Sequence, residues 1–420
     1  MSAIAFQNRD CAAGSGNGTV PVSCGGCEFV MADRVYLDWN ATTPLRAEAR
    51  AAIAAALELV GNPSSIHAEG RAARGMVEQA RAAVAAAIGA EARSVVFTSG
   101  GTEANTLALM PGLRIGSQPA ERLVISAIEH ASVLAGGRFA SEHIDTVRVT
   151  REGVVDLDHL RSLLAGRPPA LVSVMLANNE TGALQPVTDI GGIVHAAGGV
   201  LHVDAVQAFG KIPFNFNDLG TDLVSLSAHK IGGPKGVGAL VLGANLAGLA
   251  PLLRGGGQEL GRRAGTENVA GIAGFGAAVA AAIPAMAADM SRIEKLRNRL
   301  ETGLRQTQGS EGGIVIAESA PRLANTTLFA VPGLRAETAV IGFDLAGIAV
   351  SSGSACSSGK VRSSHVLEAM GFGPELAQSA IRISLGWSSS ETDIDRCLEA
   401  WRKLAGNLTK RDHETELERF

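Results

Sequence analysis

Apolar runs of four to seven residues recur along the chain, each closed by polar residues, glycine or proline. They cover Val35–Asp38, Ser94–Thr98, Leu123–Ser126, Ala170–Leu176, Gly199–Asp204, Thr221–Leu226 and Val237–Leu242. Short continuous runs of this kind predict strands of a sheet covered on both faces. Between them the period changes. Arg46–Leu59 is alanine-rich and helical, and His67–Ile88 repeats apolar residues at helical spacing. In that second helix Arg71, Arg74, Glu78 and Arg81 fit the wet face, and Gly89 fits the cap. Gly271–Met286 predicts a buried Ala/Gly helix, and Ser291–Gln306 a separate amphipathic one bridging to a second region. That region holds predicted strands at Asn325–Phe329, Gly347–Val350 and Ala380–Leu385, then a C-terminal helix and a charged, frayed tail from Leu408. Strand, polar strand end and helix in repetition describe an open α/β sheet whose strand ends converge on one ligand site.

The polar residues at those ends carry the candidate chemistry. Ser99-Gly100-Gly101-Thr102 joins a strand to a helix start, which points N–H groups and the positive dipole end at one spot and suits a phosphate. Such a turn is also common as plain structure. Other strands end at His130, at Asn178-Asn179-Glu180 and at Asp204, with Gln207 just beyond. Ser227-Ala228-His229-Lys230 precedes Gly232, Gly233, Pro234 and Gly236. Taken alone, Lys230 fits a snorkelling loop lysine as well as a desolvated nucleophile. His130 alone reads as a structural histidine, and Asp204 alone as a helix cap. Together these types match pyridoxal 5′-phosphate, which needs a lysine for its aldehyde, a carboxylate for its pyridine nitrogen and donors for its phosphate.

The 420 residues suit two domains, and a net charge of −4 without a polybasic face argues against nucleic acid. No uncharged apolar stretch free of Gly/Pro punctuation reaches membrane-spanning length. The cysteines at 11, 24, 27, 356 and 397 form no disulfide framework, which fits a reducing cytoplasm. Cys24-Gly25-Gly26-Cys27 lacks a second ligand pair and lies in a polar leader, residues 1–30, expected to be disordered.

From Val35 to Trp401 the chain resembles the cysteine desulfurases of the NifS/IscS group, class-V aminotransferase relatives of PLP fold type I. The resemblance rests on Tyr36-Leu37-Asp38 with Ala41-Thr42-Thr43-Pro44, Gly61–Ser65, Ser99–Glu103, Glu129-His130 and Asn178–Gly182. It continues through His202–Gln207, Ser227–Lys230, Gly255–Glu259, Arg263–Thr266, Ser354-Ala355-Cys356 and Ile381–Gly386.

This resemblance implies a large domain, 46–287, with a mostly parallel seven-stranded sheet covered by helices. It implies a smaller α+β domain, 288–407, an N-terminal segment, 31–45, packing with it, and a tail, 408–420. Lys230 would carry the cofactor. Asp204 would pair with the pyridine nitrogen, Gln207 would contact the ring oxygen, and His130 would stack on the ring and move protons. Gly101, Thr102, Ser227 and His229 would hold the phosphate, and Thr266 would reach it from the second subunit of a homodimer. Asn179 and Arg382 would clamp the carboxylate of L-cysteine. Cys356, in a Ser/Gly-rich loop, would take the sulfur as a persulfide and pass it to an acceptor such as an iron–sulfur scaffold protein. No resident metal is implied, Cys356 being at most a transient iron–sulfur ligand. A selenocysteine lyase or another fold type I enzyme is the near alternative, and a non-catalytic scaffold of the same fold the distant one.

Overall fold

The computed structural model describes residues 34–307, 313–353 and 363–417. Cys11, Cys24, Cys27 and Cys356 lie outside them, as does the leader. From Val35 onward the chain forms one compact unit.

Its centre is a seven-stranded sheet. The order across it is Val95–Thr98, Gly238–Leu242, Leu223–Ser227, Val200–Asp204, Ala170–Met175, Arg122–Ser126, Ile144–Val147. The last five are mutually parallel, and Gly238–Leu242 runs antiparallel to both neighbours. The inner strands are Val/Leu/Ile-rich and buried end to end, as two covered faces require. The half-exposed edge strand Ile144–Val147 is the one the apolar pattern does not announce. Parallel strands bring their carboxyl ends to one side, and there Ser126, Met175, Asp204 and Ser227 stop.

One helix, Val269–Gln306, replaces the two expected. It continues through Pro284, and its first half packs on the helices Ala47–Leu57 and Ala68–Ala87. Gly276 shows how closely: a Cβ there would sit 2.6 Å from Ala80 Cα. By length and composition it could cross a membrane, but 44% of its most apolar window is buried inside the protein. Arg81 corrects the wet-face reading of the second helix. It is only 8% exposed and forks onto Glu259 at 2.7 and 2.9 Å. The C-terminal segment expected to fray is helical backbone through Leu417, within Glu391–Leu417.

A second, antiparallel sheet orders Ser351–Ser352, Ile381–Ser384, Thr326–Ala330 and Ile314–Val315. Phe329, Phe343 and Trp401 pack its core, with Trp401 edge-on to Phe329 and stacked on Phe343. The N-terminal strand Val35–Tyr36 pairs with Ile348–Ala349. The following turn, Trp39 to Thr43, is thereby laid between this sheet and the ends of the large one.

Candidate active site

A cavity of about 330 Å³ opens at the carboxyl ends of the large sheet. It is lined by Gly101, Thr102, His130, Asn179, Asp204, Gln207, Ser227, His229, Lys230 and Arg382. These are all the candidate residues except Thr266 and Cys356. Thr266 is exposed on the segment after Arg263 and does not line this cavity, and Cys356 lies outside the described residues.

Lys230 ends a single 3₁₀ turn, Ala228–Lys230, that follows directly from a central strand. Its Nζ donates to the carbonyls of Asn40 and Ala41, the latter at 2.8 Å. The turn is held from behind: Thr43 Oγ1 and Thr43 N both donate to the His229 carbonyl. Gly232 (φ +89°) lets the chain leave under Arg46 and Trp387, where a Cβ would meet Arg46 Cγ at 2.4 Å. Burial, with Lys230 and Lys235 nearby, pushes His229 down to about 4. The ring is therefore neutral at neutral pH and meets an anion as a hydrogen-bond partner.

Asp204 is 6% exposed and held in one orientation. Oδ2 accepts from Asn105 Nδ2 at 2.8 Å, and Oδ1 from Val206 N at 2.9 Å. Asn105 also donates to Ser132 Oγ, which lies 2.8 Å from His130 Nδ1. Carboxylate and imidazole are thus joined through two side chains that the motif reading leaves without a role. Below them Glu129 is fully buried and held well above the usual carboxylate range, by burial first and by Asp204 second.

Arg382, on the second sheet, is 2% exposed. Its Nη1 donates to the Asn179 carbonyl at 3.0 Å and Nη2 to Asp38 Oδ1 at 2.8 Å, while Nε is buried without a partner. A guanidinium fixed this way, with a donor to spare at a cavity wall, suits a carboxylate.

Pyridoxal phosphate can be tested against these residues. Ser227 Oγ is buried at the cavity and has no partner in the protein, a cost an arriving phosphate oxygen would remove. Gly101 starts the eight-residue helix Gly101–Ala108, and a Cβ there would meet Val206 Cγ2 at 2.8 Å, so only glycine lets that N-terminus approach. Lysine, carboxylate, imidazole and phosphate donors are all present. The residues fit the group.

The aminotransferase class-V family model matches residues 35–397. A cysteine desulfurase from Cereibacter sphaeroides is 44% identical over 387 residues, covering 90% of this chain and 97% of that one. The cysteine desulfurase IscS of Dictyoglomus turgidum is 40% identical over 383 residues, 90% and 96% of the two chains. The X-ray structure of a NifS-like protein from Rickettsia africae superposes with a TM-score of 0.80 at 39% identity, covering 88% of this chain and 99% of that one. With the family model spanning most of its length and such relatives along nearly all of theirs, the chain belongs to the class-V aminotransferase family, and within it to the NifS/IscS-type cysteine desulfurases.

Proposed function

We propose that this cavity binds pyridoxal 5′-phosphate and removes sulfur from L-cysteine, giving L-alanine and a persulfide on Cys356. The observation that carries the reading is the convergence of Lys230, Asp204, His130 and buried Arg382 on one cavity. When bound, the cofactor supplies an electron sink for charge developing at the substrate α-carbon. Lys230 would hold the cofactor and would be the base that moves the substrate α-proton. Asp204 would pair with the pyridine nitrogen, and its two donors hold the carboxylate in one orientation. His130 covers the ring face. Thr102, Ser227, His229 and the Gly101 end of the helix take the phosphate. Arg382 and Asn179 fix the substrate carboxylate, which sets which α-bond faces Lys230.

Cys356 takes the sulfur. The substrate C–S bond breaks and an S–S bond forms, so cysteine plus the Cys356 thiol become alanine plus the persulfide with no oxidant required. The persulfide passes to an acceptor protein for iron–sulfur assembly. The same reading has two chains associate, Thr266 reaching the partner's phosphate site. It divides the chain into a cofactor domain over 46–287 and a smaller one over 288–407, and it puts the protein in the cytoplasm.

The test measures alanine and sulfide release from L-cysteine in the wild type, Lys230→Ala and Cys356→Ala. We expect Lys230→Ala to lose activity and covalent retention of the cofactor on borohydride reduction. Cys356→Ala should bind cofactor normally and lose persulfide and sulfide. Sulfide release at the wild-type rate from Cys356→Ala would sink the assignment.

A further inference from the structure

Behind the cavity wall lies a lysine that the reaction just described does not use. Lys211 is 7% exposed, and its Nζ donates to Gln207 Oε1 and to Asn40 Oδ1, both at 2.8 Å. Among the described residues no carboxylate pairs with it. The charges that bear on it are two cations, Lys230 and Arg382. Arg46 and Asp289 share with it a void of about 30 Å³ behind the Lys230 turn. Burial first, then those two cations, hold the Lys211 amine well below the ordinary lysine range. Two side-chain oxygens face the amine, and it donates to both.

Neither acceptor is free to turn. Asn40 Nδ2 donates to the Asn179 carbonyl at 3.2 Å and to Thr326 Oγ1 at 2.9 Å, so its oxygen must face Lys211. Gln207 Nε2 donates to the Asn40 carbonyl at 2.9 Å, so its oxygen must face Lys211 as well. A side-chain amide has two N–H and one oxygen. With the oxygen and one N–H engaged, Gln207 has a single group left for the cavity it lines, and that group is a donor.

We propose that Lys211 is a positioning residue: it holds Gln207 so that the side chain presents an N–H, never an oxygen, to the ring oxygen of pyridoxal phosphate. This rests on the reading of the cavity given above. A fixed donor favours the deprotonated ring oxygen and lowers the pH at which the bound cofactor's absorbance changes. Without the Lys211 amine, Gln207 Oε1 is buried and unpaired, the amide turns to recover a partner, and the donor is lost.

The experiment titrates the absorbance of the holoenzyme against pH in the wild type, Lys211→Met, Gln207→Leu and the double variant. We expect Lys211→Met to raise the apparent pKa by at least half a unit, roughly a threefold change in proton affinity. Gln207→Leu should raise it by a similar amount, and the double variant by no more than either. A purely structural lysine would lower the unfolding temperature and leave the titration where it is, which overturns the proposal, as do additive shifts. Should Lys211→Met not fold, Lys211→Gln, which keeps a shorter neutral donor, serves in the same cycle. It should give a smaller shift that vanishes in the Gln207→Leu background, and equal shifts in both backgrounds overturn the proposal. A wild type that takes up no pyridoxal phosphate overturns the reading of the cavity instead.

Discussion

Glu259→Gln removes one charge and almost no volume, yet the structure predicts a measurable loss of stability. The Glu259 side chain is 2% exposed and accepts from Arg81 Nη1 at 2.7 Å, Arg81 Nη2 at 2.9 Å and Phe97 N at 3.0 Å. Breaking a buried pair from one side costs about 3–5 kcal/mol, because the remaining charge is left uncompensated. Arg81 keeps the Val95 carbonyl at 2.7 Å and the exposed Glu78 at 3.2 Å, which places the loss near the lower end, about 3 kcal/mol. Unfolding entropy near 60 °C is about 2.1 cal/mol/K per residue, so roughly 0.9 kcal/mol/K for a chain of this length and a fall in Tm of about 3–4 °C. The effect reaches further than the pair. Glu259 (φ 51°) and Leu260 (φ 57°) both hold left-handed backbone, which costs non-glycine residues about 1–2 kcal/mol each. The carboxylate anchors that strained turn to the strand leading into Gly100 and Gly101. Arg263, paired with Glu103 at 2.9 Å, anchors it a second time. Thermal unfolding of the holoenzyme at low and high salt is the assay. A buried pair is poorly screened, so the loss should persist in about 0.5 M salt. A Tm within one degree of wild type, or a loss that salt erases, would refute the reasoning.

Two further outcomes follow from other parts of the fold. A Cβ at Gly386 would lie 1.9 Å from Trp39 Cε3, and Trp39 is 2% exposed against Trp387. Gly386→Ala should therefore cost about 3 kcal/mol, shift tryptophan emission and weaken cofactor retention, since Trp39 leads into the carbonyls that receive Lys230; unchanged emission and cofactor affinity would count against this. His202 is fully buried between Ser173 and Ser225, and burial pushes it from 6.5 down to about 3. The unfolded chain binds that proton and the folded one does not, so His202 makes stability fall as the pH drops from about 6.5 towards 3. His202→Asn should flatten the acid limb of a plot of Tm against pH, and an unaltered slope would show that His202 does not contribute to it.

Much of the site was legible because it stands where strands end. An apolar run closed by a polar residue marks the carboxyl edge of a covered sheet, and Asp204, Ser227 and the Lys230 turn are such closures. Arg81 was misread for a physical reason. Helical spacing put it in line with Arg74 and Glu78, and nothing local distinguishes an arginine facing water from one facing a carboxylate 178 residues away. The split after Met286 was misplaced for another: a change from alanine-rich to charged composition suggested two helices, but a single helix, Val269–Gln306, runs through both stretches.

Asn40 had no signature in the sequence at all, and it organises more of the site than any residue the motifs single out. Its N–H goes to Ser384 Oγ of the second sheet, and its carbonyl takes Lys230 Nζ and Gln207 Nε2 from the first. Its side chain receives Lys211 Nζ and Asn325 Nδ2 and donates to Asn179 O and Thr326 Oγ1. It is 1% exposed with every polar group matched, which makes displacement expensive. Asparagine is needed because only an amide offers donor and acceptor side by side: Asn40→Asp would face the Asn179 carbonyl with an anion, and Asn40→Leu would strand Lys211 and Asn325 together. Arg382 is tied to Asn179 O, and so is Asn40. A shift of the second sheet that moved Arg382 would therefore pull on the carbonyl that receives Lys230. Lys230 and Arg382 are thus held in one frame by the turn from Trp39 to Thr43.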